Sequence, residues 1–273
     1  MKKFEGLLFI TDLDCTLLRD DKTISNKNLD AIKYFMSEGG AFTFITGRIP
    51  AGAKIVYDVV KPNAPCGCIN GGAIYDFRTK ELLWHKSISR DVLELVEYID
   101  KQVPDIGIEI CLYDKICFCK KNAATEKHRT DENLIDYSCH YTQVEEPFAK
   151  IVFADLNQDN IAKTIDLIHN HPKASEFDFV RTDMIYYEGL AKGVCKGNVV
   201  IKLTEILNIN MEKTIAIGDN DNDASMLKTA HIGIAVSNAS EKAKSSADYI
   251  TVSNEEDAIA KIIEELDKGI LSV

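Results

Sequence analysis

Two carboxylates, Asp12 and Asp14, stand two residues apart directly after the apolar run Gly6 to Thr11. At the end of a buried strand, such a pair can converge on one small site. One carboxylate can act as nucleophile while the other handles a proton. A second acidic stretch, Gly218-Asp219-Asn220-Asp221-Asn222-Asp223, follows the apolar run Thr214 to Ile217. Brought together, the two clusters would repel. Two unit charges about 4 Å apart cost on the order of 4 kcal/mol at an effective dielectric of ~20. A divalent cation removes that cost, and oxygen ligands on loops suit Mg²⁺. Taken singly, each cluster also fits a loop with helix caps, where Asp and Asn are favoured. Their shared place at strand ends, at opposite ends of the chain, favours chemistry.

Two further elements fit a phosphoryl group. Thr46-Gly47-Arg48 offers a hydroxyl and backbone N–H groups at a strand-to-helix turn. Arg48 fits a surface salt bridge equally well. The ammonium group of Lys196 would offset phosphate charge near the nucleophile, and Lys192, one helical turn earlier, competes for that role. A solvated surface position is the plain alternative for either lysine. The pairs Cys66/Cys68 and Cys117/Cys119 lack the usual zinc spacing of two to four intervening residues and read as small buried hydrophobes. His169 and His171, beside Pro172, read as a helix end.

The elements that must position these residues follow from periodicity. Gly6–Thr11, Ala41–Ile45, Cys66–Ile69, Thr214–Ile217, Ile232–Val236 and Tyr249–Val252 are apolar runs of the kind buried on both faces of a parallel sheet. Between them, Ser25 caps a helix carrying Leu29, Ile32, Phe35 and Met36, ended by Gly39-Gly40. Pro50 opens another helix. Asn198–Leu207 and Glu255–Lys268 are helical. The middle of the chain differs: a helix over Arg90–Lys101, then Ile106, Ile108, Ile110 and Leu112 alternating as in a half-exposed strand. Ile116 and Phe118 continue that alternation. Strands follow near Lys150–Ala154, Phe177–Val180 and Met184–Tyr187, with a helix at about Asp159–His169. The fold class is therefore α/β, a doubly wound, mainly parallel, Rossmann-like sheet with an inserted α+β domain. The core takes residues 1–82 and 189–273, and the insert takes 83–188.

The bulk numbers fit a globular chain of one large or two ordinary domains, with 273 residues, 45% hydrophobic and 27% charged. A net charge of −11 argues against nucleic acid or anionic membrane as partner. No run approaches the ~20 apolar residues of a membrane helix. The N-terminus does not read as a signal peptide, so the eight cysteines are expected reduced, in the cytoplasm.

The ordered motifs resemble the haloacid dehalogenase superfamily, specifically the Cof-type phosphatases with a type IIB cap. Asp12-Leu13-Asp14-Cys15-Thr16-Leu17 matches the first motif and Phe44-Ile45-Thr46-Gly47-Arg48 the second. Asn70-Gly71-Gly72 resembles the turn before the cap. Glu188-Gly189 through Gly193-Val194-Cys195-Lys196-Gly197 resembles the segment with the active-site lysine, which favours Lys196 over Lys192. Gly218 to Asp223, then Met226-Leu227, resembles the metal motif. Asn238-Ala239 and Ser253 to Asp257 resemble later signatures. Cys15 stands where relatives usually have Gly, which is expected to tighten the loop or expose the site to oxidation. Ala258 replaces a common Gly.

This resemblance implies hydrolysis of small phosphate monoesters, sugar phosphates or phosphorylated cofactors, through an aspartyl-phosphate on Asp12. Asp14 protonates the leaving oxygen and then activates water. Thr46, Gly47, Arg48, Lys196 and Asn222 bind substrate. Mg²⁺ is held by Asp12, the Asp14 carbonyl and Asp219, with Asn222 and Asp223 orienting or completing the shell. The insert is expected to act as a cap, with Arg181, Asp183 and Tyr187 as candidates by location. A phosphosugar mutase also uses an aspartyl-phosphate. A phosphoacceptor signalling module shares the Asp, Thr and Lys set, but is shorter and lacks such an insert. A non-catalytic binding protein would not need the complete set.

Overall fold

Strands and helices alternate at both ends of the computed structural model, which describes residues 2–273. The first stretch holds β1 (Leu8–Thr11), α1 (Asn26–Ser37), β2 (Ala41–Phe44), α2 (Pro50–Val60), β3 (Cys66–Cys68), β4 (Ala73–Asp76) and β5 (Glu81–His85). The middle holds α3 (Val92–Gln102), β6 (Gly107–Cys111), β7 (Ile116–Lys120), α4 (Ala123–Asp131), β8 (Lys150–Ala154), α5 (Gln158–His169), β9 (Phe177–Asp183) and β10 (Tyr186–Ala191). The last holds α6 (Lys196–Leu207), β11 (Thr214–Gly218), α7 (Ala224–Thr229), β12 (Ile232–Ala235), α8 (Glu241–Lys244), β13 (Tyr249–Ile250) and α9 (Ala258–Asp267).

The chain divides into two compact units. One takes the described residues up to Thr46, Val56–Trp84 and Cys195–Val273; the other takes Gly47–Ile55 and His85–Val194. In the first unit the sheet order is β13-β12-β11-β1-β2, with every pairing parallel. β1 is an interior strand, paired with β11 on one side and β2 on the other, and all four of its residues are buried. Leu8 and Phe9 are fully buried, and Phe9 stacks on Phe42 and meets Phe35 edge-on. Burying one such side chain contributes about 1.5–3 kcal/mol. Strand order reverses at β1, with β2 on one side and β11 on the other. That reversal leaves a crevice at the carboxyl ends of the strands. Ser25 accepts from Asn28 N and caps α1, as its sequence signature requires.

A small sheet, β3-β4-β5, was not evident in the sequence pattern, where only β3 stood out. β5 explains why: Leu82, Leu83 and Trp84 follow one another without polar alternation, and none of the strand's residues is fully buried.

The second unit is α+β, with a five-stranded sheet ordered β7-β6-β8-β10-β9 and antiparallel pairings. α3 and α5 supply Leu95, Val96, Ile99, Ile161 and Ile168 to its apolar core, together with Ile108, Ile110, Ile151 and Phe153 from the sheet. β6 is buried on both faces, not one. Its polar-side residue Glu109 is covered by α4, whose His128 reaches it at 2.7 Å. α4 itself carries little apolar periodicity and so left no helical signature in the sequence. Its start is fixed by an Asn122–Thr125 capping box. Tyr187, a cap-surface candidate by location, points into this core, where its hydroxyl meets His169 Nε2 at 3.2 Å.

Candidate active site

Asp12 is the first residue beyond β1. Its N–H still donates to the Ile217 carbonyl at 2.9 Å, so the backbone is fixed by the sheet while the side chain leaves it. The chain then folds into a tight turn over Leu13–Leu17, with Cys15 at φ 56°. On the neighbouring strand, β11 ends at Gly218. A Cβ there would lie 2.6 Å from Asp223 Cγ, so glycine is what lets the Asp223 carboxylate fold back under its own loop. Asp223 Oδ2 accepts from the N–H groups of Asp219 and Asn220 at 3.0 and 2.9 Å. The two acidic loops thus meet at the carboxyl edge of the sheet. Ligand oxygens of Asp12, Asp219 and Asp223 all lie within 4.8 Å of one another.

Lys196, first residue of α6, enters this group fully buried. Its Nζ lies 2.8 Å from Asp12 Oδ1 and 2.6 Å from Asp223 Oδ1. Burial works to lower its proton affinity, but the two carboxylates outweigh that and hold it above the usual lysine range. One cation does not balance three carboxylates. Burial, then the charge of Asp223, pushes the Asp12 carboxyl well above its usual range, with Lys196 pulling the other way. The same two causes push Asp219 up to about 7. Carboxyl groups pushed in this way toward the protonated form fit a divalent cation, which would supply the missing positive charge. The donor set, carboxylate oxygens only, fits a hard ion of the Mg²⁺ type. A further fit is Asn222, whose Oδ1 is buried without a hydrogen-bond partner.

The other sequence candidates divide. Asn222 Nδ2 donates to Asn70 Oδ1 at 2.9 Å, and Asn70 N donates to the Thr46 carbonyl at 3.0 Å, so Asn222 and Thr46 join the group through Asn70. Asp14 lies on the first loop, with its carboxylate 2.9 Å from Lys22 Nζ. Neither Asn70 nor Lys22 carried a site role in the sequence reading. Asn70 was visible as a turn beside two glycines, whereas nothing in the pattern marked Lys22. Lys192 belongs to the second unit, where it pairs with Asp178 at 2.8 Å.

Gly47 and Arg48 also fall in the second unit. Lys150 Nζ donates to the Gly47 carbonyl at 3.0 Å and to Glu188 at 2.8 Å. Arg48 Nε lies 3.8 Å from Glu132 Oε1, and His128 stands between Glu132 (3.4 Å) and Glu109 (2.7 Å). Burial opposes the charge on His128, but the two flanking carboxylates prevail and raise it to about 10. This alternation of carboxylate, imidazolium, carboxylate and guanidinium keeps buried charge paired.

A doubly wound sheet with a carboxylate cluster and one lysine at its carboxyl edge fits an α/β protein that handles phosphoryl groups. A haloacid dehalogenase-like hydrolase family model matches residues 9–263, and the chain belongs to that family, among its Cof-type phosphatases. It is 26% identical over 279 residues to the 5-amino-6-(5-phospho-D-ribitylamino)uracil phosphatase YitU of Bacillus subtilis, covering 94% of this chain and 96% of that one. It is 25% identical over 274 residues to the pyridoxal phosphate phosphatase YbhA of Escherichia coli, covering 92% and 95%. A haloacid dehalogenase-like hydrolase from Bacteroides thetaiotaomicron shares the fold, with a TM-score of 0.85 at 24% identity over 95% of this chain and 99% of that one. The chain is a phosphatase. No helix among the described residues is long and apolar enough to cross a membrane.

Proposed function

We propose that the chain hydrolyses small phosphate monoesters, sugar phosphates or phosphorylated cofactors, with Asp12 as nucleophile. The observation that carries this reading is the Asp12 carboxylate held 2.8 Å from buried Lys196 and within reach of Asp219 and Asp223. In the first step an Asp12 oxygen attacks phosphorus, the bond to the leaving oxygen breaks, and Asp14 gives that oxygen a proton. In the second, Asp14 takes a proton from water as the water attacks phosphorus. Inorganic phosphate leaves and the Asp12 carboxylate is regenerated. Asp14 suits both proton transfers because its side chain is 38% exposed, so water can reach it.

Phosphoryl transfer is mainly positioning and charge stabilisation. Lys196 and Thr46 hold the phosphoryl group, Asn222 meets a hydrogen-bond donor of the bound substrate with its free amide oxygen, and Gly47 and Arg48, next in sequence, add to substrate binding. Mg²⁺ at Asp12, Asp219 and the Asp14 carbonyl, with Asp223 completing or orienting the shell, would neutralise phosphoryl charge. Both oxygens of Asp223 are already engaged, which favours the orienting role. Residues 83–188 act as the cap that selects the leaving group. The two named relatives, acting on a phosphoribityl compound and on pyridoxal phosphate, support a small phosphorylated metabolite as substrate. Eight cysteines held as free thiols support a cytoplasmic place of work.

The test is phosphate release from a panel of sugar and cofactor monophosphates, with Mg²⁺, by the wild type and Asp12→Asn. The wild type should release phosphate without forming an isomer, and the variant should be inactive while melting normally. Comparable turnover by a clean Asp12→Asn preparation defeats the assignment.

A further inference from the structure

Three consecutive residues between β3 and β4 adopt positive φ: Ile69 at 58°, Asn70 at 53° and Gly71 at 99°. For a β-branched residue such as Ile69 this is a genuine outlier, and strain of this kind persists only where the surroundings over-determine it. Here they do. Asn70 N donates to the Thr46 carbonyl at 3.0 Å, while Thr46 N donates to Gly67 at 3.0 Å. The Asn70 amide oxygen accepts from Asn222 Nδ2 at 2.9 Å, across 152 positions of sequence. Gly71 lies so close to the start of α6 that a Cβ would stand 2.2 Å from the Cys195 carbonyl oxygen and 3.0 Å from Lys196 N. One strained turn therefore touches three segments, those of Thr46, Lys196 and Asn222.

The direction of the amide contact matters. An Asn side chain has one acceptor oxygen and one donor nitrogen. Because Asn222 spends its donor on Asn70, its oxygen is the end left over, and that oxygen is buried without a partner. Turned the other way, the amide would aim an N–H where the oxygen now lies. Asn70 thus decides which polarity Asn222 presents.

We propose that Asn70 is a positioning residue for the phosphatase reaction: its side-chain oxygen fixes the Asn222 amide with the acceptor end free for a hydrogen-bond donor at the reacting centre, and its backbone ties that amide to Thr46. The proposal rests on the reading above, in which Thr46, Lys196 and Asn222 serve the phosphoryl site.

Three substitutions separate backbone from side chain. Asn70→Gly keeps the positive φ at no steric cost and removes the side-chain amide, with it the acceptor that holds Asn222. Asn70→Asp keeps both an acceptor oxygen and tolerance of this conformation. Asn222→Ala removes the group being oriented. With p-nitrophenyl phosphate as probe and saturating Mg²⁺, Asn70→Gly should lower kcat about tenfold or more, with KM changed less than threefold and thermal melting close to wild type. Asn70→Asp should recover most of that kcat. The double variant Asn70→Gly/Asn222→Ala should be no slower than Asn222→Ala alone, because the two residues act as a unit. If Asn222→Ala turns over like the wild type, the role given to Asn222 fails and the proposal falls with it. If Asn222→Ala is slow but Asn70→Gly is not, or if the two losses multiply, the phosphatase reading stands and the positioning role of Asn70 is overturned.

Discussion

Thr16 Oγ1 donates a 2.7 Å hydrogen bond to Asp219 Oδ1, joining two acidic loops 203 positions apart in sequence. A hydrogen bond to a charged group contributes about 1.5–3 kcal/mol. It works against burial and Asp223, which both favour the protonated form of Asp219. Thr16→Val keeps the shape and removes the donor. Asp219 should then hold its proton to higher pH. The Mg²⁺ concentration giving half-maximal phosphate release should rise about tenfold or more, since each 1.4 kcal/mol is a factor of ten. Titration of activity with Mg²⁺ at fixed pH checks this, and a curve superimposable on the wild type refutes it.

Stability should depend on pH and metal together. The folded Asp219 carboxyl is raised from 3.8 to about 7, and Asp12 is raised as well. Between the unfolded and folded values the native state binds more protons than the unfolded chain. By linkage, the contribution of these carboxyls to stability is fully present below about pH 4 and is lost as pH rises through about 7. A divalent cation supplies the missing positive charge once the protons leave, and binding to the native state alone stabilises it. The rise in Tm on adding Mg²⁺ to chelator-treated protein should therefore be small at pH 5 and larger at pH 8. Asp219→Asn should remove most of the pH 8 increment. A Tm indifferent to Mg²⁺ at both pH values counts against cation binding here.

Much of this arrangement is legible in sequence for a definite reason. β1, β2 and β11 are continuous apolar runs, and the residue types that follow each run are strongly polar, so the sheet edge and its chemistry announce themselves together. Asp12, Asp219 and Asp223 meet where β1 and β11 place them, and Lys196 reaches them from the start of α6. The contributions of Asn70 and Lys22 are not written in periodicity. One depends on a backbone turn that only the packed neighbours enforce, the other on a loop bringing residues eight apart together. The buried ladder from Glu109 to Arg48 is hidden for a related reason. Alternation along β6 marks one apolar face and cannot say that a polar helix will cover the other.

Cys15 offers a contrast between a sequence expectation and its environment. At φ 56° it occupies a left-handed position, which costs an L-residue roughly 1–2 kcal/mol. Glycine avoids that strain but gives back roughly 0.5–1 kcal/mol through the freer unfolded chain. Cys15→Gly should thus raise Tm modestly, by about 1–3 °C for a chain of this size, with turnover retained because the hydrogen bond from Asn238 is to the Cys15 backbone carbonyl, which glycine keeps. The expectation that this thiol sensitises the site to oxidation does not match its surroundings. Burial first, and then the charge of Asp219, pushes the thiol up to about 11. The thiolate is the reactive form, and at pH 7 only about one thiol in ten thousand would be ionised. Alkylation of Cys15 by iodoacetamide, followed by peptide mass spectrometry, should be slow at pH 7. Its rate should climb about tenfold per pH unit toward pH 9. Complete modification within minutes at pH 7 would mean that the thiol is not held in this environment.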